Sequence, residues 1–105
     1  MARTPKALAD GQLPSSKGTL YTCPASTTTY ISSVTCHNTN ATEQTIVVYV
    51  NRSGTSRVIA RVSGFAQYYT LNIGAGLILE AADLLEATTT TATAVDYEVS
   101  GIEET

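Results

Sequence analysis

Short runs of β-branched and aromatic residues recur along this chain, and Gly, Pro, Ser or Asp cuts each one off before it lengthens. Such side chains are stiff at χ1 and pack well on a pleated surface, so the pattern constrains the chain to strands. The strongest run is Ile46-Val47-Val48-Tyr49-Val50, inside an expected core strand at 44–51. Further strands are expected at 18–23, 30–38, 56–62, 67–73 and 93–101, with turns at 53–55 and 63–64. In the last strand Val95, Tyr97 and Val99 alternate with Asp96, Glu98 and Ser100, the period of a half-buried strand. Strict alternation in 30–38 puts Tyr30, Ser32, Val34 and Cys36 on one face and Ile31, Ser33, Thr35 and His37 on the other. Residues 76–87, GLILEAADLLEA, have helical propensity. Turn signals every 8–12 residues elsewhere instead favour a strand at 77–80, a turn at 81–83 organised by Asp83, and a strand at 84–88. The expected fold is all-β, a single β-sandwich, and 105 residues suit one domain.

Residues 1–17 read differently. Pro5, Gly11 and Pro14 interrupt them and no hydrophobic period develops, so they are expected as an extended N-terminal arm beside a domain at 18–105. Seventeen extended residues reach roughly 55 Å, enough to cross onto a neighbouring subunit. Charge divides the same way. The arm carries Arg3, Lys6 and Lys17 against Asp10, while the remainder holds three basic and eight acidic residues. An acidic body repels phosphate, so nucleic acid is not an expected partner. Charged residues are only 14% of the chain, which leaves a hydroxyl-rich surface suited to protein contact. Arg52, Arg57 and Arg61 fall on one hairpin, and Tyr with Arg marks protein–protein contact. The candidate interface residues are Arg3, Lys6, Leu8 and Leu13 on the arm, with Arg52, Arg57, Tyr68 and Tyr69 on the domain. Residues 1–20 contain no apolar signal region and no stretch is long enough to span a bilayer, so no membrane partner is expected. The N-glycosylation patterns at Asn40 and Asn51 read as chance matches.

Catalytic equipment is sparse. His37 is the single histidine, and its neighbour Cys36 points to the other face of a strand, so the two cannot work together. Cys23, Cys36 and His37 fail as a zinc site for the same reason and lack a fourth ligand. A hairpin of 18–23 with 30–38 holds Cys23 and Cys36 apart, giving two reduced, partly buried thiols. Gly74-Ala75-Gly76 is a strand corner rather than a phosphate cradle, and the threonine runs 27–29 and 88–91 read as loops. No enzyme activity, cofactor or metal is expected.

Several segments carry a resemblance. Leu20-Tyr21-Thr22-Cys23-Pro24-Ala25 leading into Tyr30-Ile31-Ser32-Ser33-Val34-Thr35-Cys36-His37-Asn38-Thr39 is similar to small virion proteins of tailed bacteriophages. So are Val48-Tyr49-Val50-Asn51-Arg52-Ser53-Gly54-Thr55, the turn around Leu79-Glu80-Ala81-Ala82-Asp83-Leu84-Leu85, and the ending Val95-Asp96-Tyr97-Glu98-Val99-Ser100-Gly101-Ile102-Glu103. The likeness covers most of 18–105. Ala82 departs from it by standing where a turn glycine is expected. The resemblance implies a jelly-roll-like sandwich, a place in the virion after assembly in a bacterial host, and capsid decoration (cement) as the leading role. It implies the major capsid protein or other virion subunits as partners, and a homo-oligomer, favouring a trimer. The rival roles are a tail, neck or fibre-associated adaptor and a carbohydrate- or receptor-binding module.

Overall fold

A computed structural model describes residues 3–73 and 76–105. The β-rich segments form nine strands: β1 (Arg3–Gln12), β2 (Gly18–Thr22), β3 (Thr28–Asn38), β4 (Gln44–Arg52), β5 (Thr55–Phe65), β6 (Thr70–Ile73), β7 (Leu77–Leu79), β8 (Leu84–Thr88) and β9 (Val95–Glu104). The described residues contain no helix. One sheet runs β1-β9-β3-β6, with β7 also pairing β3, and the other runs β2-β8-β4-β5. All pairings are antiparallel. β6 and β7 line up along successive stretches of β3, at Val34–His37 and Thr29–Ile31, and so act as one broken strand. Counted that way, two four-stranded sheets share eight strands in jelly-roll order. Residues from both sheets fill the space between them, among them Ile31, Val34, Val95 and Val99 from one and Ile46, Val48 and Leu85 from the other.

The expected N-terminal arm is corrected. Residues 3–12 are β1, paired along β9 from Arg3–Glu104 to Gln12–Asp96, and Leu13 follows them into the core. The punctuating residues misled because an edge strand tolerates them. Pro5 has no N–H to leave unpaired on the open side, and a register shift at Leu8 absorbs irregularity. The strand shows no hydrophobic period because most of its side chains face solvent.

The hairpin of 18–23 with 30–38 is also corrected, since β2 and β3 lie in different sheets. The backbone of Cys23 turns to the β7–β8 connection instead, donating to Asp83 O at 2.9 Å and accepting from Ala82 N at 3.0 Å. Residues 24–27 are therefore a crossover between sheets. Cys23 and Cys36 are both free and buried.

Segment 76–87 forms two strands and a turn, as read from the turn spacing. Asp83 Oδ2 accepts from Glu80 N at 2.9 Å and Asp83 N donates to Glu80 O at 2.9 Å. Ala82 adopts φ 72°, the left-handed conformation that a glycine holds without steric cost.

Alternation fails in β3. The register shifts between Ile31 and Ser33, so Thr29 and Ile31 are buried before the shift and Val34, Cys36 and Asn38 after it. Tyr30 and Ser32 thus leave the face they were assigned, and Ile31 joins the core. Gly101 sits opposite Ile31, and a Cβ there would lie 2.2 Å from the Tyr30 carbonyl oxygen. This close backbone approach admits only glycine.

The threonine run after β8 is not a simple solvated loop. Gln44 is buried, and its Oε1 accepts from Thr89 Oγ1 at 3.0 Å and Thr91 N at 2.8 Å. Thr90 Oγ1 accepts from Thr45 N at 2.9 Å. Thr29 is likewise fully buried, bonded to the Tyr21 hydroxyl at 2.8 Å. Buried polar groups need such partners, and here threonine supplies them.

Candidate interaction surface

The jelly-roll order gives the sandwich two unlike lateral sides. On one side β1 lies against β2, and on the other β5 ends its sheet near the broken β6/β7 strand. The large exposed hydrophobic residues, Val58, Ile59, Tyr68, Tyr69 and Ile78, belong to this second side.

β5 is built to stand out. Eleven residues long, it pairs with β4 and, among the described residues, leaves its other edge open. A bulge sets Tyr49 opposite Val58 and Val48 opposite Ala60, with Ile59 as the extra residue. Arg57, opposite the core-facing Val50, turns toward the space between the sheets, while Arg61, opposite Val47, takes the outer face. Val58 is 56% exposed. Beside the strand a groove of about 430 Å³ opens into the edge of the sandwich. Val50, Ile59 and Leu77 give it an apolar lining, and Arg52 and Arg57 stand at it. Arg52 is held within the chain, its Nε 3.1 Å from Asp83 Oδ2 and its Nη2 donating to the Ile78 carbonyl.

Tyr68 and Tyr69 are 71% and 61% exposed, yet their backbone is fixed. Asn38 O accepts from Tyr68 N at 2.7 Å, Asn38 N donates to Tyr69 O at 3.1 Å, and Asn38 Nδ2 donates to Phe65 O at 2.8 Å. Tyr68 takes φ 66°, an unfavourable conformation for a bulky residue that these bonds enforce. Its ring stacks on His37 at 6.5 Å, and Tyr69 meets Phe65 edge-on at 6.4 Å. The backbone bonds thus fix where the pair is presented, which spares the loop's backbone from ordering on contact.

The arm candidates are engaged inside the chain. Arg3 Nε lies 3.0 Å from Glu104 Oε2, with its guanidinium 5.5 Å from the Tyr30 ring centre, and Lys6 Nζ lies 3.0 Å from Glu103 Oε1. Leu8 packs against the core and Leu13 is buried in it, which leaves Leu13 no surface for a partner. Of the eight candidates the structure groups Arg52, Arg57, Tyr68 and Tyr69 on the open side and places Arg3, Lys6, Leu8 and Leu13 on the other. Val58, Ile59 and Ile78 were missed, because strand alternation cannot tell an exposed apolar face from a buried one. The signal available was the arginine on either side of Val58-Ile59.

The titratable groups are tied to structure. His37 Nδ1 bonds Thr70 Oγ1 at 2.9 Å, and burial pushes the Cys36 thiol up to about 11, away from the thiolate that nucleophilic chemistry needs. Cys23 Sγ lies 3.3 Å from both Thr27 O and Thr29 Oγ1. Glu86 is buried and accepts from Ser56 Oγ at 2.6 Å. The Tyr21 hydroxyl donates to Glu103, and this bond with that from Lys6 holds the carboxyl below its ordinary range. Burial, reinforced by Glu103, pushes the Tyr21 phenol well above its own.

A second hollow, of about 470 Å³, lies on the outer face of the β1-β9-β3 sheet. Asp10, Asp96 and Glu98 line it with Thr35, His37 and Tyr97. Gly11 forms its floor at φ 148°, and a Cβ there would touch the Tyr97 ring at 3.5 Å.

No family model matches the chain, and no curated protein matches it. Among solved structures it is similar to a pentameric capsid protein isolated from metagenomic phage sequences, at 18% identity and a TM-score of 0.44, over 93% of this chain and 61% of that one. A second crystal structure of such a protein, solved by iodide phasing, gives 17% identity and a TM-score of 0.41, over 93% and 62%. The chain thus spans about three fifths of the length of those proteins.

Proposed function

We propose that this chain is a non-enzymatic structural subunit of a phage virion, acting as a decoration or cement protein on the capsid shell. The observation that carries the reading is the open side of the sandwich. An edge strand with exposed Val58 and Ile59, an apolar groove beside it and two exposed tyrosines on a hydrogen-bonded backbone make a surface suited to burial against protein. The resemblance of most of 18–105 to tailed-phage virion proteins supports a virion location. Jelly rolls are also a recurrent architecture of viral capsid domains, an analogy at the level of fold. In this role the subunit bridges neighbouring shell proteins through Tyr68 and Tyr69 on the open side, and a trimer is the expected assembly. The attachment first expected of the N-terminal arm passes to this surface, because β1 belongs to the sandwich.

The test is add-back to particles lacking the protein. Full-length protein is expected to saturate shell sites and raise the temperature at which particles release their genome. Tyr68→Ser with Tyr69→Ser is expected to lower occupancy without unfolding the domain. Absence of the protein from purified particles, or binding confined to tails, overturns the assignment to the shell.

A further inference from the structure

The β5 edge carries Arg57 and Arg61 and no acidic residue from Thr55 to Phe65. Among the described residues neither arginine has an ion-pair partner, whereas Arg3, Lys6 and Arg52 each have one. The hollow on the other sheet shows the reverse imbalance. Asp10, Asp96 and Glu98 line it, and among the described residues no lysine or arginine bridges any of them. Among the described residues the Asp96 carboxylate is met by the neutral Gln12 amide, at 3.2 Å.

One chain cannot join these two regions. β5 ends its sheet at the edge away from β2, while the hollow spans the outer face of β1, β9 and β3 in the opposite sheet. Pairing β5 with β5 of a second copy gathers four arginines along one seam and supplies no acidic residue from either strand to meet them. The complement of the basic edge is therefore present on this chain but on another face, which is the condition for head-to-tail association.

We propose that the β5 edge of one copy docks against the acidic hollow of the next, with Arg57 and Arg61 meeting Asp10, Asp96 and Glu98. The two arginines lie on opposite faces of the strand and straddle the contact, and Val58 supplies its apolar centre. Such an interface is heterologous, so repetition closes a ring when the rotation per copy divides a full turn. This self-association goes beyond the virion assignment and does not depend on it: a chain that binds no particle still assembles this way.

Charge reversal with mass measured by analytical ultracentrifugation tests the contact. The wild-type protein is expected to associate at low salt and to dissociate as salt rises from about 0.05 to 0.5 M, where exposed charges are screened. Arg57→Glu with Arg61→Glu, and separately Asp96→Lys with Glu98→Lys, are each expected to be monomeric, since each opposes like charges at the contact. Mixing the two variants restores both complementary pairings and is expected to recover association, in complexes where the two variants alternate. All four positions are exposed, and unchanged circular dichroism checks folding, with Arg57→Gln and Arg61→Gln as the milder pair. A wild-type monomer at every salt concentration overturns the proposal. So does assembly that survives Asp96→Lys with Glu98→Lys, which places the contact elsewhere, or a mixture of folded variants that stays monomeric.

Discussion

β1 and β5 are both long edge strands, at the margins of different sheets, and they solve the edge problem differently. An open edge offers unpaired N–H and C=O groups to any passing strand, and proteins blunt it with proline, bulges and charge. β1 has Pro5, a register shift at Leu8, and cations paired inside the chain with Glu103 and Glu104. β5 has a bulge but no proline, and Arg57 and Arg61 lack ion-pair partners among the described residues. It exposes Val58 and Ile59 where β1 shows polar and small side chains. The contrast teaches that β1 is finished as part of the fold and β5 is left available. Charge alone marks both strands as sticky. Where each charge finds its partner separates them.

The comparison breaks most severely at Gly101, which pairs with Lys6 of β1 on one side and Ile31 of β3 on the other. Gly101→Ala forces a Cβ onto the Tyr30 carbonyl, so β9 must move and take β1 with it. The expected loss is about 3 kcal/mol or more, read as a fall in urea midpoint. Near-wild-type stability would show that the β3–β9 bulge is adaptable. Leu13→Ala comes next, at roughly 2–4 kcal/mol, because it empties a core position at the end of β1. The same experiment separates strand from arm: a residue on a passive arm loses nothing when truncated.

Much of this was legible in the residues. The turn at Asp83 and most strand segments of 18–105 follow from local preference and turn spacing, but the turn expected at 63–64 lies inside β5 and the strand expected at 67–73 begins only at Thr70, after a turn at 67–68. The two thiols are free as expected, though the hairpin from which that was argued is absent. What escaped depends on partners distant in sequence. β1 looked like an arm because its stabilisation comes from the β9 backbone and from Glu103 and Glu104, at the other end of the chain. The bulge in β3 was hidden because Ser32 and Ser33 fit either face. The run at 89–91 is loop as read, but the burial of Thr89 within it was hidden because its partner, Gln44, lies 45 residues away. The interaction surface was half visible: arginine and tyrosine pointed to contact, but the sheet order had to group the right ones. The expected corner at 74–76 falls partly on Gly74 and Ala75, outside the described residues.

The finished side carries a pH signature. Glu103 has a folded pKa below its unfolded one, so its bonds to Tyr21 and Lys6 stabilise the protein above the unfolded value. That stability is lost as pH falls through the folded value, because the unfolded chain then binds the proton first. Tyr21 is shifted upward, so its contribution is whole below the ordinary phenol range and fades as pH rises above it. Glu103→Gln is expected to cost about 1–2 kcal/mol at neutral pH and to flatten the acid limb of the stability profile. An unchanged acid limb would assign it to other carboxylates.

The smallest expected effect on stability concerns the available side. Val58 already meets water and Ile59 lies at the rim of the groove, so replacing both by threonine removes no core contact beyond the part of Ile59 that faces Val50 and Leu77. Threonine keeps the β-branch and the strand preference, and its hydroxyl faces solvent rather than a core. Stability is expected to stay within about 0.5 kcal/mol of wild type, the usual range for surface sites. Partner binding is expected to weaken, since these residues form the apolar centre between the arginines. A large loss of stability would mean that the β5 edge is closed in the folded monomer, and the contrast with β1 would disappear. Unchanged stability with unchanged association would leave the arginines alone in control of the contact, which would then yield wholly to salt. Unchanged stability with weakened association is the outcome that keeps β5 as an edge reserved for a partner.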